Sequence, residues 1–579
     1  MKLRSISTAL VFAGLLMGTP GCKDFYDVNV DPIHPTKAEL QQLLPVSQTA
    51  ISTYLGFSIA GIGQGTSALM QQLSNGRSIG TYAQNGDSFA NQWSGLYSDM
   101  LSNNELLIAQ GTTEQRWGYV GIAQIQKAYV FSQLVDMFGD VPYSEALKGA
   151  QNTAPRFDKA EDIYNGNSAL GIQSLFSLID EGIANLAKSG ASVNGNADLI
   201  YGGTLSKWAS LGRTLKLKLY VQIRKTRSDA DFQQQITTLI GSPLITQSDD
   251  FEFKYGASTL PANRNISFLS NYVDVAREDN IGRYLYRFMK YGNGVDGLTT
   301  PGSVQDPRIP YYFFNQRTSQ AVDAAAFDYQ DTDGRFVTVR QGSTGPANAS
   351  VTATVRTLPG LYPIGGRYDD GRGGDANTTY GRGTVAQRLL PYFSRKFLEA
   401  EAQLTILNNT AAARTALDLG IRAAFDKVNA IVAAEPTLTA PTTTSGAAYP
   451  SGGTPYTSIP ATAINTYVTA ALARFDAASS TDKLRIIMEQ KYVASFGMGP
   501  DMYTDWRRTG YPIISVPDNL NIGYNVGLVE DNDPATRGAG LFPRRLFYPQ
   551  QDLTSNANPS APKTQVDPLS ADYRIFWDR

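Results

Sequence analysis

Apolar residues recur at helical spacing along much of this chain. In QRWGYVGIAQIQKAYVFSQLVDMFG (115–139) they fall at Val120, Ala123, Ala128, Phe131, Leu134, Val135 and Phe138. Steps of three or four predict a helix with one face turned to a core, and Gly139 stands where it stops. The same pattern predicts helices within 38–56, 169–190, 204–225, 386–407 and 481–497, with Gly190 in a stop position. Several form helix–turn–helix pairs, and stacked pairs predict a tetratricopeptide-like packing. Residues 241–380 carry short apolar pieces among many Gly, Asn and Asp, which predicts loops and small hairpins. Residues 435–462 are biased toward Thr, Pro, Gly and Ala and predict an exposed insertion. The expected fold is mainly α, a helical repeat scaffold with a large loop-rich face. No clean boundary divides residues 22–579, so one domain is expected.

The N-terminus has a different pattern. Lys2 and Arg4 precede a mostly apolar run, Ile6 to Gly18, followed by small residues. That is the order of a secretory signal over 1–21, and the run is too short to span a membrane. It ends at Cys22, the single cysteine of the chain. A cysteine there resembles a bacterial lipoprotein, whose thiol is lipidated, although Thr19 stands where Leu is usual. CKDFYD (22–27) also resembles the lysine–acid surface-export signal of Bacteroidetes lipoproteins. The expected location is the outer membrane, lipid-anchored and facing outward.

Composition removes several classes of chemistry. One Cys excludes an intramolecular disulfide framework, and one His, His34, leaves little room for a histidine triad or a His-based metal site. The net charge is −2 with no basic run, so nucleic acid is not an expected partner. Ser58 in GFSIAG (56–61) loosely resembles a nucleophile elbow, but its context is helical and the only His precedes it. The glycines of GIGQG (61–65) and GRGG (371–374) lack the βαβ setting of a phosphate cradle. Glu399 and Glu401, at i and i+2, lie on different helix faces and read as surface or buried hydrogen-bonding residues; a glycosidase pair formed across the fold stays open. In RYDDGRGGD (367–375), Asp369, Asp370 and Asp375 could help hold Ca²⁺, but a solvated turn is the favoured reading. No cofactor is expected beyond a lipid on Cys22.

The C-terminal third carries MEQKYVASFGMGPDMYTDWRRTGYP (488–512), FPRRLFYPQQDLTSNANP (542–559) and RIFWDR (574–579). With NVDPIHPT (29–36), KAYVFSQLVDMFGDVPYSEAL (127–147), DPRIPYYF (306–313) and LPYFSRKFLEAEA (390–402) in order, the chain closely resembles the SusD/RagB family, in its SusD-like subgroup. The resemblance implies a tetratricopeptide-like scaffold, no catalysis, a glycan or sometimes a peptide ligand, and a SusC-like TonB-dependent barrel to which ligand is delivered. Two other readings stand beside it: a lipid-anchored glycan hydrolase, and an adhesin or scaffold without a small ligand. Within YTDWRRTGYP (503–512), Trp506 is expected to pack and Arg507 or Arg508 to pair with a carboxylate.

The ligand loop expected from residue chemistry is NGRSIGTYAQNGDSFANQWSGLYSDM (75–100). It mixes rings (Tyr82, Phe89, Trp93, Tyr97) with hydrogen-bonding groups (Arg77, Gln84, Asn85, Asp87, Gln92). Flat rings can lie against the C–H faces of sugars while amides and guanidinium meet the hydroxyls. The starch-binding members use a similarly placed loop. Trp93 and Tyr97, at i and i+4, equally fit the buried start of a helix. Tyr311, Tyr312, Tyr362 and Tyr368 are second-choice contributors.

Overall fold

The computed structural model describes residues 38–74, 84–227, 229–274, 277–291, 304–317, 336–338, 356–376, 378, 381–435, 457–514, 543–565 and 573–579. Cys22, His34, Arg77, Tyr82 and residues 436–456 of the expected insertion lie outside them. Among the described residues no helix is long and apolar enough to cross a membrane.

Helices dominate, as the periodicity predicts. Leu40–Leu55, Trp117–Phe138, Leu175–Leu186, Leu205–Gln222 and Ser480–Ala494 form within the expected spans. Local chemistry sets their ends. Ser174 caps the Leu175–Leu186 helix by accepting from the Ser177 N–H at 3.0 Å. Gly139 ends Trp117–Phe138 at φ +90°, and a Cβ there would meet the Arg545 guanidinium at 2.6 Å. Four helix pairs recur among the described residues: Ser102–Thr113 with Trp117–Phe138, Leu175–Leu186 with Leu205–Gln222, Tyr392–Thr405 with Thr410–Ala434, and Ala461–Ala477 with Ser480–Ala494. Each pair packs on the next, giving the repeat scaffold.

Two expectations are corrected. The span 386–407 opens as a strand, Gln387–Leu390, paired antiparallel with the strand Phe251–Phe253. Pro391 holds Leu390 extended and starts the Tyr392–Thr405 helix as its cap, so one apolar run serves two elements. The insertion does not extend to 462. Ile459 is buried, with both its N–H and its carbonyl bonded to the Asn429 amide (2.8 and 3.2 Å), and the Ala461–Ala477 helix follows. Residues 241–380 also hold the short strands Asn280–Ile281, Phe313–Asn315 and Thr357–Pro359, plus a nine-residue helix, Arg283–Tyr291.

The Gly499–Thr509 helix touches the whole scaffold. Its sequence suits it for a buried run: Pro500 and Asp501 open it, Arg507 and Arg508 close it, and Gly510 takes the left-handed turn beyond. Asp501 pairs with Lys218 at 2.5 Å, Asp505 with Lys491 at 2.6 Å, and Arg508 with Glu401. Those partners belong to three different helix pairs. Glu401 also takes Arg224 at 2.8 Å, and Asp505 takes Arg508 at 2.6 Å. At the N-terminal end of this helix the backbone comes close to Ile62–Leu69: a Cβ at Gly499 would lie 2.4 Å from the Gly63 carbonyl. That approach, and not phosphate binding, accounts for part of the GIGQG cluster. Trp506 is buried and Arg508 pairs with carboxylates, as expected.

Burial alone would raise the Glu401 pKa, but Arg508 and then Arg224 hold it below the usual range. Its contribution to stability is therefore present above the unfolded value, about 4.3, and is lost as pH falls through the folded value. Glu401→Gln is expected to cost about 3–5 kcal/mol near neutral pH, because it strands buried guanidinium charge. Urea unfolding at pH 7.5 and pH 3.5 checks this; the gap to the parent should shrink at the lower pH.

Asp136 behaves oppositely. It accepts from the Tyr164 hydroxyl (2.7 Å) and the Trp577 indole N–H (3.0 Å), yet burial pushes it up to about 6. Between about pH 4 and 6 the folded state holds the extra proton, so this residue's contribution falls as pH rises. Asp136→Asn keeps an acceptor for both donors. It is expected to raise the unfolding free energy from urea titration at pH 7.5 by up to about 3 kcal/mol and to leave it unchanged near pH 4.

Candidate functional site

The described half of the expected ligand loop is packed against the scaffold. Residues 84–89 form a turn: the Asn85 carboxamide accepts from the Asp87 N–H at 2.9 Å, and Gln84 accepts from the Phe547 N–H at 2.5 Å. The chain then runs as one helical stretch, Ala90–Gly95, a π turn over Leu96–Leu101, and Ser102–Thr113. Trp93 is 5 % exposed, with Phe138 edge-on at 4.9 Å, Tyr548 at 6.0 Å and Phe157 stacked at 6.4 Å. Tyr97 is half-buried and donates to the Pro142 carbonyl at 2.7 Å. These two rings take the helix-core reading, as their i, i+4 spacing allowed. Asn85 and Asp87 are exposed.

The second-choice tyrosines also face inward. Tyr362 is fully buried, stacked on Tyr312 at 4.6 Å, and donates to the Ala494 carbonyl at 2.8 Å. Tyr368 packs on Tyr311 at 5.0 Å, and both are buried. In the turn at 367–375, Asp370 is paired with Arg372 (2.6 Å) and lies 3.9 Å from Arg367, Asp369 accepts from the Gly371 N–H at 3.0 Å, and Asp375 is exposed. Arginines take the place beside Asp370 that a cation would need. Among the described residues, no group of three His, Cys, Asp or Glu could hold a metal. The Glu399–Glu401 pair is likewise spent on cations: Lys396 and Arg395 meet Glu399, and Arg508 and Arg224 meet Glu401.

A polar groove lies elsewhere, where the strand Phe251–Phe253 meets the Thr410–Ala434 helix. Phe251 and Phe253 point inward, so Glu252 and Lys254 share the outward face. Lys427 reaches from the helix to Asp250 at 2.8 Å and Glu252 at 2.6 Å. Burial would lower the Lys427 pKa, but Glu252 and Asp250 hold it above the usual range. Two clefts flank this ridge and share Glu252, Lys254 and Lys427. One, of about 280 Å³, runs between Val385–Ala386, Tyr255, Ile431 and Glu435. The other, of about 410 Å³, is floored by Tyr201, Lys207 and Gln247. The alternation FEFK (251–254) is the sequence signal for this strand, but its partner, Gln387–Leu390, is distant in the chain, so no hairpin marks it.

Residues 46–549 match a family model described as "Starch-binding associating with outer membrane", SusD-like. The chain belongs to this SusD-like family. Solved structures agree in fold. A SusD/RagB family protein from Bacteroides thetaiotaomicron is 19% identical over 94% of this chain and 99% of its own, at a TM-score of 0.65. A chitin-binding protein is 20% identical over 93% of this chain and 100% of its own, at 0.64. A chitin-binding SusD homolog from Flavobacterium johnsoniae is 17% identical over 93% and 98%, at 0.60. No curated protein matches the chain in sequence. SusD-like proteins are binding proteins and not enzymes, and the family is associated with the outer membrane.

Trp93→Ala in this SusD-like chain is expected to cost about 3–5 kcal/mol through the cavity it leaves. Asp87→Ala, at an exposed position, is expected to stay within about 0.5 kcal/mol. Chemical denaturation of both variants distinguishes a core ring from an exposed loop residue.

Proposed function

We propose that this protein is a surface-exposed, lipid-anchored binding protein that captures an oligosaccharide and delivers it to a SusC-like TonB-dependent barrel in the outer membrane. The family match over residues 46–549 carries the reading. The description of that family as starch-binding, and of two structural neighbours as chitin-binding, supports a glycan over a peptide. Cys22 is the attachment point of the lipid and Lys23-Asp24 its surface-export label. The exposed Asn85 and Asp87, with Arg77 and Tyr82 before them in sequence, are the loop residues best suited to meet ligand. The carboxylates weighed for hydrolysis, Glu399 and Glu401, are buried and tied to cations, which supports binding without turnover.

Three measurements test this, two in the host cell and one on the purified protein. Cys22→Ala is expected to fold normally and to leave the membrane fraction when the neighbouring barrel is absent. Purification through a tag on this protein should recover the barrel, and its absence from every preparation would sink the delivery role. Calorimetry against maltoheptaose and chitohexaose should give binding without release of reducing ends.

A further inference from the structure

The cleft of about 280 Å³ beside Lys427 is lined by two residues whose buried polar atoms make no hydrogen bond among the described residues. Glu435 is 4 % exposed, and its Oε2 accepts no hydrogen bond; Arg382 is its ion partner at 3.7 Å. Arg388 is 2 % exposed. It donates Nη1 to the Tyr362 carbonyl (3.0 Å) and Nη2 to the Phe496 carbonyl (2.9 Å), but its Nε has no acceptor. Lys254, on the rim, is exposed and makes no ion pair among the described residues. Buried groups left in this state are uncommon, and a ligand or ordered water is one of the few explanations for them.

We propose that this cleft is a carbohydrate subsite, separate from the 75–100 loop. A hydroxyl donates and accepts at once. Neighbouring hydroxyls on one sugar ring can therefore give a proton to Glu435 and accept from Lys254 and Arg388. Lys427 is offset by Asp250 and Glu252, and Glu435 by Arg382, which leaves Lys254 and Arg388 as hydrogen-bond donors toward hydroxyls. Val385, Ala386, Ala430 and Ile431 supply an apolar wall for the C–H face of the ring. The inference rests on the glycan reading above and adds a second place of contact.

Two variants of the whole protein test it with maltoheptaose and chitohexaose as probes. Lys254→Ala removes a cation without an ion partner, and Ala430→Trp places a ring on an exposed helix position at the mouth of the cleft. Circular dichroism should show both folded. The parent is expected to gain hydrogen-exchange protection at 384–388 and 427–434 when sugar is added. Lys254→Ala should weaken that protection about tenfold in sugar concentration, and Ala430→Trp should abolish it. Sugar binding by calorimetry with no protection at these segments, or with protection unchanged in both variants, overturns the subsite and leaves the glycan reading standing. No binding of either sugar to the parent overturns both.

Discussion

The buried pairing of Glu401 with Arg508 is the constraint from which the rest of the architecture follows. Neither group is exposed to water, and each has a second partner, Arg224 for the carboxylate and Asp505 for the guanidinium. Two charges can be buried only if their geometry is satisfied on all sides. That requirement fixes where the Tyr392–Thr405 helix, the end of Leu205–Gln222 and the Gly499–Thr509 helix lie relative to one another. Asp501–Lys218 and Asp505–Lys491 extend the same logic along one helix. Apolar packing supplies the bulk of the favourable burial, but it is tolerant of slippage; paired charges are not.

The scaffold was legible because long helices must bury a stripe, and a stripe shows at steps of three and four. Its limits were physical. The Thr410–Ala434 helix buries Leu417, Ile421, Phe425, Val428 and Val432, but alanines on the other faces blur the edge of that stripe. The Gly499–Thr509 helix is buried along most of its length, so it shows no polar face against which a stripe stands out. The strand Gln387–Leu390 hid inside a helical pattern because only Pro391 separates it from the Tyr392–Thr405 helix.

The site was less legible than the fold. Composition pointed to aromatic rings, and rings are abundant, but among the described candidates Trp93, Tyr362 and Tyr368 are buried and Tyr97 is half-buried. Ring chemistry serves a core as well as it serves a sugar, so residue type could not separate the two. The groove at Lys427 was missed for the opposite reason. Its residues are ordinary surface acids and lysines in sequence, and only the packing of a strand against a helix brings them together. Unsatisfied atoms, not residue types, mark it out.

An open array of helical repeats can gain or lose a unit at little cost, since each unit touches only its neighbours. Here the eleven-residue Gly499–Thr509 helix contacts every pair, from Trp117–Phe138 to Ser480–Ala494. It acts as an axle of fixed length with charged positions already assigned. Inserting another pair would leave that unit with no place on the axle, and deleting one that carries Lys218, Glu401 or Lys491 would leave a buried charge without its mate. The repeat number is thus closed to gradual change, and variation in such a chain is directed to the loops that hang from the scaffold.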